Sequence, residues 1–73
     1  MTFVVNPRSA NGRTGKRWRG IQKRLASRLG SAFEVVFTAG PGDATHLTRQ
    51  ALHQGSSVIV AVGGDGTINE VVN

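Results

Sequence analysis

The sequence predicts an α/β domain, a three-layer, Rossmann-like open parallel sheet with helices packed on it. Three observations predict this class. Short β-branched runs alternate with amphipathic helical patterns in the order β-α-β-α-β-α, the alternation that parallel sheets with crossover helices require. The run Val58-Ile59-Val60-Ala61-Val62 carries no polar residue, as expected of a strand covered on both faces. Glycine, proline and asparagine punctuate the boundaries between the runs, where chain reversals need them.

Thr2 to Val5 forms the first predicted strand, closed by Asn6-Pro7 because proline lacks a ladder donor. Arg8 to Gly15 is a polar loop. A helix is predicted from Lys16 to Leu29, since Trp18, Ile21, Leu25 and Leu29 share one helical stripe, and Gly30 suits its C-terminal cap. Phe33 to Thr38 forms the second strand and Ala39-Gly40-Pro41-Gly42 a turn. Asp43 is expected to cap a helix over Ala44 to Gln54, with Ala44, Leu47 and Ala51 inward and Leu52 at the edge. After the strand at Val58 to Val62, Gly63-Gly64-Asp65-Gly66 turns the chain into a third helix from Thr67. That helix has no stop signal before Asn73, so the 73 residues are expected to be part of a longer unit.

The chain has no cysteine, which excludes a disulfide scaffold, and no apolar run long enough for a membrane span. Its start lacks the pattern of a secretory signal, so a cytoplasmic location is expected. The formal net charge is +5, and eight of the nine basic residues lie between Arg8 and Arg28. Such residues form a solvated helix face or a positive surface for phosphates and anionic head groups. No aromatic platform for nucleic-acid bases accompanies them, because Trp18 falls on the apolar stripe.

Ligands in open parallel sheets bind beyond the carboxyl ends of the strands. Three polar segments are predicted there: Asn6-Pro7-Arg8-Ser9-Ala10, Thr38, and Gly63-Gly64-Asp65-Gly66-Thr67. The glycine-rich segment would let the backbone approach a phosphate at a helix N-terminus. The plainer alternative is a tight turn followed by a capping box, in which Glu70 reaches back to the Thr67 amide. The first loop is equally readable as a phosphate-holding loop or as a surface connection. A Walker loop fails at Ala10 and Arg17, and a dinucleotide fingerprint started at Gly64 fails at Asn69. His46 and His53 lie on one face of the second helix without a further ligand at metal spacing. Asp65 is either a ligand-orienting carboxylate or a turn residue bonding its own backbone.

The segment Gly63-Gly64-Asp65-Gly66-Thr67 resembles the superfamily of diacylglycerol, sphingosine and NAD kinases. Its continuation Ile68-Asn69-Glu70-Val71-Val72-Asn73 is similar to the lipid kinase branch, as are Asn6-Pro7-Arg8-Ser9 and Thr38 followed by Gly42-Asp43-Ala44. Ala10 stands where this family often has glycine. The resemblance implies that residues 1–73 are the N-terminal part of an ATP-binding kinase domain, with the remainder and a β-rich lipid-binding domain downstream. It implies ATP contacts from Asn6, Pro7, Arg8, Ser9, Ala10, Thr38, Gly64, Asp65, Gly66, Thr67, Ile68, Asn69 and Glu70. It implies Mg²⁺-assisted transfer of the ATP γ-phosphoryl group to a diacylglycerol-type hydroxyl, with peripheral contact at the inner membrane surface. The catalytic base and metal ligands are expected downstream, so these residues alone are expected to bind nucleotide weakly and not to turn over. NAD kinase, or a non-catalytic phosphate-binding module, is the alternative; a nucleic-acid binder is the remotest.

Overall fold

The computed structural model describes residues 1–30 and 32–72, with the backbone alone for Asp65. Strand β1 (Thr2–Val5) runs between β2 (Glu34–Phe37) and β3 (Ile59–Val62), and both neighbours are parallel to it. Thr2 stands opposite Glu34 and Ile59, and Val5 opposite Phe37 and Val62. The chain moves to one side of β1 and then back to the other. This order places a topological switch point between β1 and β3.

Helix α1 (Arg13–Leu29) covers one face of the sheet. Phe3 and Val5 of β1 bury themselves there with Trp18, and Leu25, Phe33, Val35, Val60 and Val62 pack around them. The Phe3 ring lies 5.7 Å from that of Trp18 and meets Phe33 edge-on at 5.5 Å, arrangements that favour aromatic pairs. The indole N–H of Trp18 is buried without a hydrogen-bond partner among the described residues. By strand alternation Thr2 and Val4 face the other way, where α2 (Asp43–His53) lies on β1 and also packs against α3 (Asp65–Val72). Thr48 is buried on α2, its hydroxyl donating to the Ala44 carbonyl at 2.7 Å.

Several expectations are corrected. The strand buried on both faces is β1, because β3 is an edge of this sheet and is half-buried throughout. Helix α1 starts three residues early, at Arg13, after a tight 3₁₀-like turn over Ser9–Gly12 in which Ala10 and Asn11 adopt left-handed angles. Only Trp18 of its apolar stripe is fully buried, whereas Ile21 and Leu29 stay exposed. Thr48 rather than Leu47 joins Ala44 and Ala51 in the buried face of α2. Helix α3 begins at Asp65, so Gly66 belongs to its first turn. Among the described residues no helix is long and apolar enough to cross a membrane.

Candidate functional site

The three connections at the carboxyl end of the sheet meet through main-chain bonds. The Asn6 amide donates to the Val62 carbonyl, and the Thr38 amide donates to the Val5 carbonyl, each at 2.9 Å. These bonds extend the two ladders by one step past the strands. They hold Asn6, Thr38 and the glycine turn after Val62 side by side, as the sequence predicts.

Asn6 organises the rim with all of its polar atoms. Its Oδ1 accepts from the Arg8 amide at 3.0 Å and its Nδ2 donates to Thr67 Oγ1 at 3.2 Å. Its carbonyl accepts from the Ser9 hydroxyl at 3.0 Å, and that hydroxyl also bonds Thr14 Oγ1. Gly63 makes the approach of β3 to α3 possible. A Cβ there would lie 2.6 Å from Thr67 Oγ1 and 3.2 Å from the Asn6 Cβ, a clash that any larger residue would meet.

Helix α3 presents its N-terminus to this rim. The Thr67 and Ile68 amides both donate to the Gly64 carbonyl, at 3.0 and 3.2 Å. The Gly66 amide has no acceptor among the described residues. A Cβ on Gly66 would meet nothing within 4 Å, so open space lies directly over that backbone.

Glu70 behaves differently from the expected capping box. Its carboxylate does not return to Thr67 but reaches α2, accepting from the Gly42 amide at 3.2 Å and the Ala44 amide at 3.3 Å. The Thr45 hydroxyl donates to the Glu70 carbonyl at 2.6 Å. Glu70 is therefore the cap of α2, the role expected of Asp43. Asp43 instead accepts from the Ala39 and Gly40 amides at 2.7 and 3.1 Å and closes the loop after β2. Both helix N-termini attract negative charge. The one at α2 is already matched by Glu70, and the one at α3 stands beside the exposed Arg8.

These groups surround a cavity of about 300 Å³. Asn6 and Arg8 line it from the first connection, Thr38 to Pro41 from the second, and Gly66, Thr67 and Glu70 from α3, with Ala44 of α2 between. Pro7, Ser9, Ala10 and Gly64 are not among the residues that line it. The Pro7 carbonyl accepts from the Gly15 amide at 3.1 Å, and Ser9 holds the turn. Ile68 and Asn69 border a separate depression with Gly66 and Val72. The side chain of Asp65 lies outside the described residues. Sequence reasoning missed the Ala39-Gly40-Pro41 wall, whose only signal was its position after a strand. A second hollow of about 300 Å³ opens at the amino ends of the strands, near Met1, Phe33 and Gly55, and gathers none of the predicted site residues.

The arrangement suits a phosphorylated ligand. It combines a helix-terminal amide without an acceptor among the described residues, a glycine that leaves room above it, a cation and two polar side chains held by hydrogen bonds. Among the described residues no group of three or more His, Cys, Asp or Glu side chains stands together.

Residues 1–73 match the family described as Diacylglycerol kinase catalytic domain. The chain is 38% identical over 74 residues to Sphingoid long-chain bases kinase 1 of Arabidopsis thaliana, covering 100% of this chain and 10% of that protein. It is 40% identical over 69 residues to the Probable lipid kinase YegS-like of Cronobacter sakazakii, covering 94% of this chain and 22% of that protein. Over 36 residues it is 56% identical to the Diacylglycerol kinase of Bacillus subtilis, covering 49% of this chain and 12% of the relative. The chain thus spans between a tenth and a quarter of the length of these curated relatives.

Proposed function

The chain belongs to the diacylglycerol kinase catalytic domain family, and from that premise we propose that it forms the ATP-binding part of a lipid kinase that phosphorylates a diacylglycerol-type hydroxyl. The observation that carries this reading is the meeting of Asn6, Thr38, Gly66 and Thr67 around one cavity at the carboxyl end of the sheet. Relatives named as kinases of lipids and sphingoid bases support a lipid acceptor over a dinucleotide.

When bound, ATP with Mg²⁺ supplies the phosphoryl group and the charge neutralisation that such transfers depend on. The chain's own part is to bind and position. The Gly66 amide and the α3 dipole receive phosphate oxygens. Arg8 adds a charge-assisted donor. Asn6, fixed by its bonds to Arg8 and Thr67, holds the two loops at constant separation. Glu70, engaged with α2, keeps Ala39 to Gly42 in place as the outer wall and does not itself grip the nucleotide. Mg²⁺ in this assignment takes its ligands from outside the described residues. Residues 1–73 bind ATP and do not turn over alone.

The test uses the full-length protein with ATP and Mg²⁺, offered dioleoylglycerol in mixed micelles or NAD in solution. Phosphatidic acid formation is expected. NADP formation without phosphatidic acid would overturn the reading.

A further inference from the structure

The N-termini of α2 and α3 both open on the cavity, and Glu70 links them. Glu70 stands four residues after Gly66, so the two lie on one face of α3, about 6 Å apart along its axis. From there its carboxylate oxygens divide between two amides of α2. Oε2 accepts from Gly42 at 3.2 Å and Oε1 from Ala44 at 3.3 Å. Gly42 has left-handed angles, φ 86° and ψ −16°, and the helix begins directly after it. Successive amides in that backbone pattern converge on a concave anion-binding position. The Asp43 amide between them is taken by the Gly40 carbonyl. Ala44 is 1% exposed, and the Thr45 hydroxyl donates to the Glu70 carbonyl at 2.6 Å. The second bond holds Glu70 in register with the two amides.

We infer that Glu70 is a positioning residue whose carboxylate fills the anion position at the start of α2 from within the chain, confining a ligand's phosphates to the Gly66 end of α3; the inference rests on the reading of this cavity as the nucleotide's phosphate site. Ala44, Gly66 and Glu70 line one cavity of about 300 Å³. Without Glu70, a phosphate chain in that space would meet two sets of helix amides and could settle in more than one register. With Glu70 in place the α2 amides are occupied, and a negative charge stands one turn inward from Gly66. Like-charge repulsion then directs the rest of the phosphate chain away from α2, toward Arg8 and Asn6 on the other wall. Helix stability alone does not call for that charge, since neutral and charged side chains cap helices about equally well.

The test titrates inorganic phosphate into isotopically labelled full-length protein, parent and Glu70→Ala, against sodium chloride at matched ionic strength. In the parent, phosphate is expected to shift the Gly66 and Thr67 amides and to leave Gly42 and Ala44 in place. In Glu70→Ala, phosphate-dependent shifts are expected at Gly42 and Ala44 as well, and chloride should produce none. Glu70→Gln keeps the length and one acceptor without the charge. It should show the same new shifts at higher phosphate, which keeps the test decisive if the alanine variant fails to fold. In turnover with dioleoylglycerol, Glu70→Ala should lower kcat about 100-fold, the scale of a misplacement of about 1 Å, with KM for ATP changed several-fold at most. An absence of parent shifts at Gly66 would count against the nucleotide site alone, because the responses of Gly42 and Ala44 are read separately. A residue that only caps α2 would leave Gly42 and Ala44 silent to phosphate in both variants, and that result would overturn the inference. So would equal shifts at Gly42 and Ala44 in parent and variant, or a raised KM with unchanged kcat.

Discussion

The Asn6 side-chain amide donates to the Thr67 hydroxyl at 3.2 Å, joining the end of β1 to the first turn of α3 across 61 positions of sequence. Thr67 is 5% exposed, so its hydroxyl has no easy substitute in water. Thr67→Val keeps the shape and removes the acceptor. We expect a loss of about 1 kcal/mol, or about 4–8 °C in melting temperature for a domain of this size. Thr67→Ser should restore most of it. Trp18, the single tryptophan, is buried and supplies the fluorescence readout.

Glu70 ties α3 to the amides of Gly42 and Ala44 on α2. Glu70→Ala removes this cap and should destabilise by about 1 kcal/mol, as for other N-cap losses. Glu70→Gln retains one acceptor and should lose about half as much. Denaturant midpoints of the two variants give the comparison. Equal stability of Glu70→Ala and the parent chain would show that the contact contributes nothing.

Gly63 is required by close approach. Gly63→Ala would set a methyl 2.6 Å from Thr67 Oγ1, and we expect about 1–3 kcal/mol of destabilisation from overpacking. Combining it with Thr67→Ala should give less than the sum of the single effects, with a coupling of about 1 kcal/mol. Strict additivity in a double-mutant cycle would contradict the contact.

Ala10 holds φ 54° and ψ 42°, a left-handed conformation that strains any residue with a Cβ. Ala10→Gly should therefore stabilise the chain by about 0.5–1 kcal/mol after the extra freedom of glycine in the unfolded state is subtracted. A rise in melting temperature checks it.

Much of the fold was legible because period and punctuation agree. The three apolar runs became the three strands within a residue or two at each end, and Gly30 terminates α1 with φ 64° and its amide on Ala26. The convergence of Asn6, Thr38 and the glycine turn followed from strand polarity alone, since parallel strands deliver their carboxyl ends to one side. What was not legible depends on partners distant in the chain. Whether Val58–Val62 or Thr2–Val5 would be central turns on strand order, which local periodicity does not encode. Glu70 has two amide sets within conceivable reach, its own helix start and that of α2; the packing of α2 against α3 selects the second. Residues 13–15 lack an apolar face and so gave no helical signal, yet α1 absorbs them once the Pro7 carbonyl accepts from Gly15.

The most direct test of the account follows backbone amide resonances while ATP is titrated into isotopically labelled chain. The largest shifts are expected at Gly66 and Thr67, with accompanying shifts at Asn6 and from Thr38 to Gly40, and none at Gly55 or Ser56. Shifts confined to the opposite hollow around Phe33, Gly55 and Ser56, or no shifts at millimolar ATP, would contradict it.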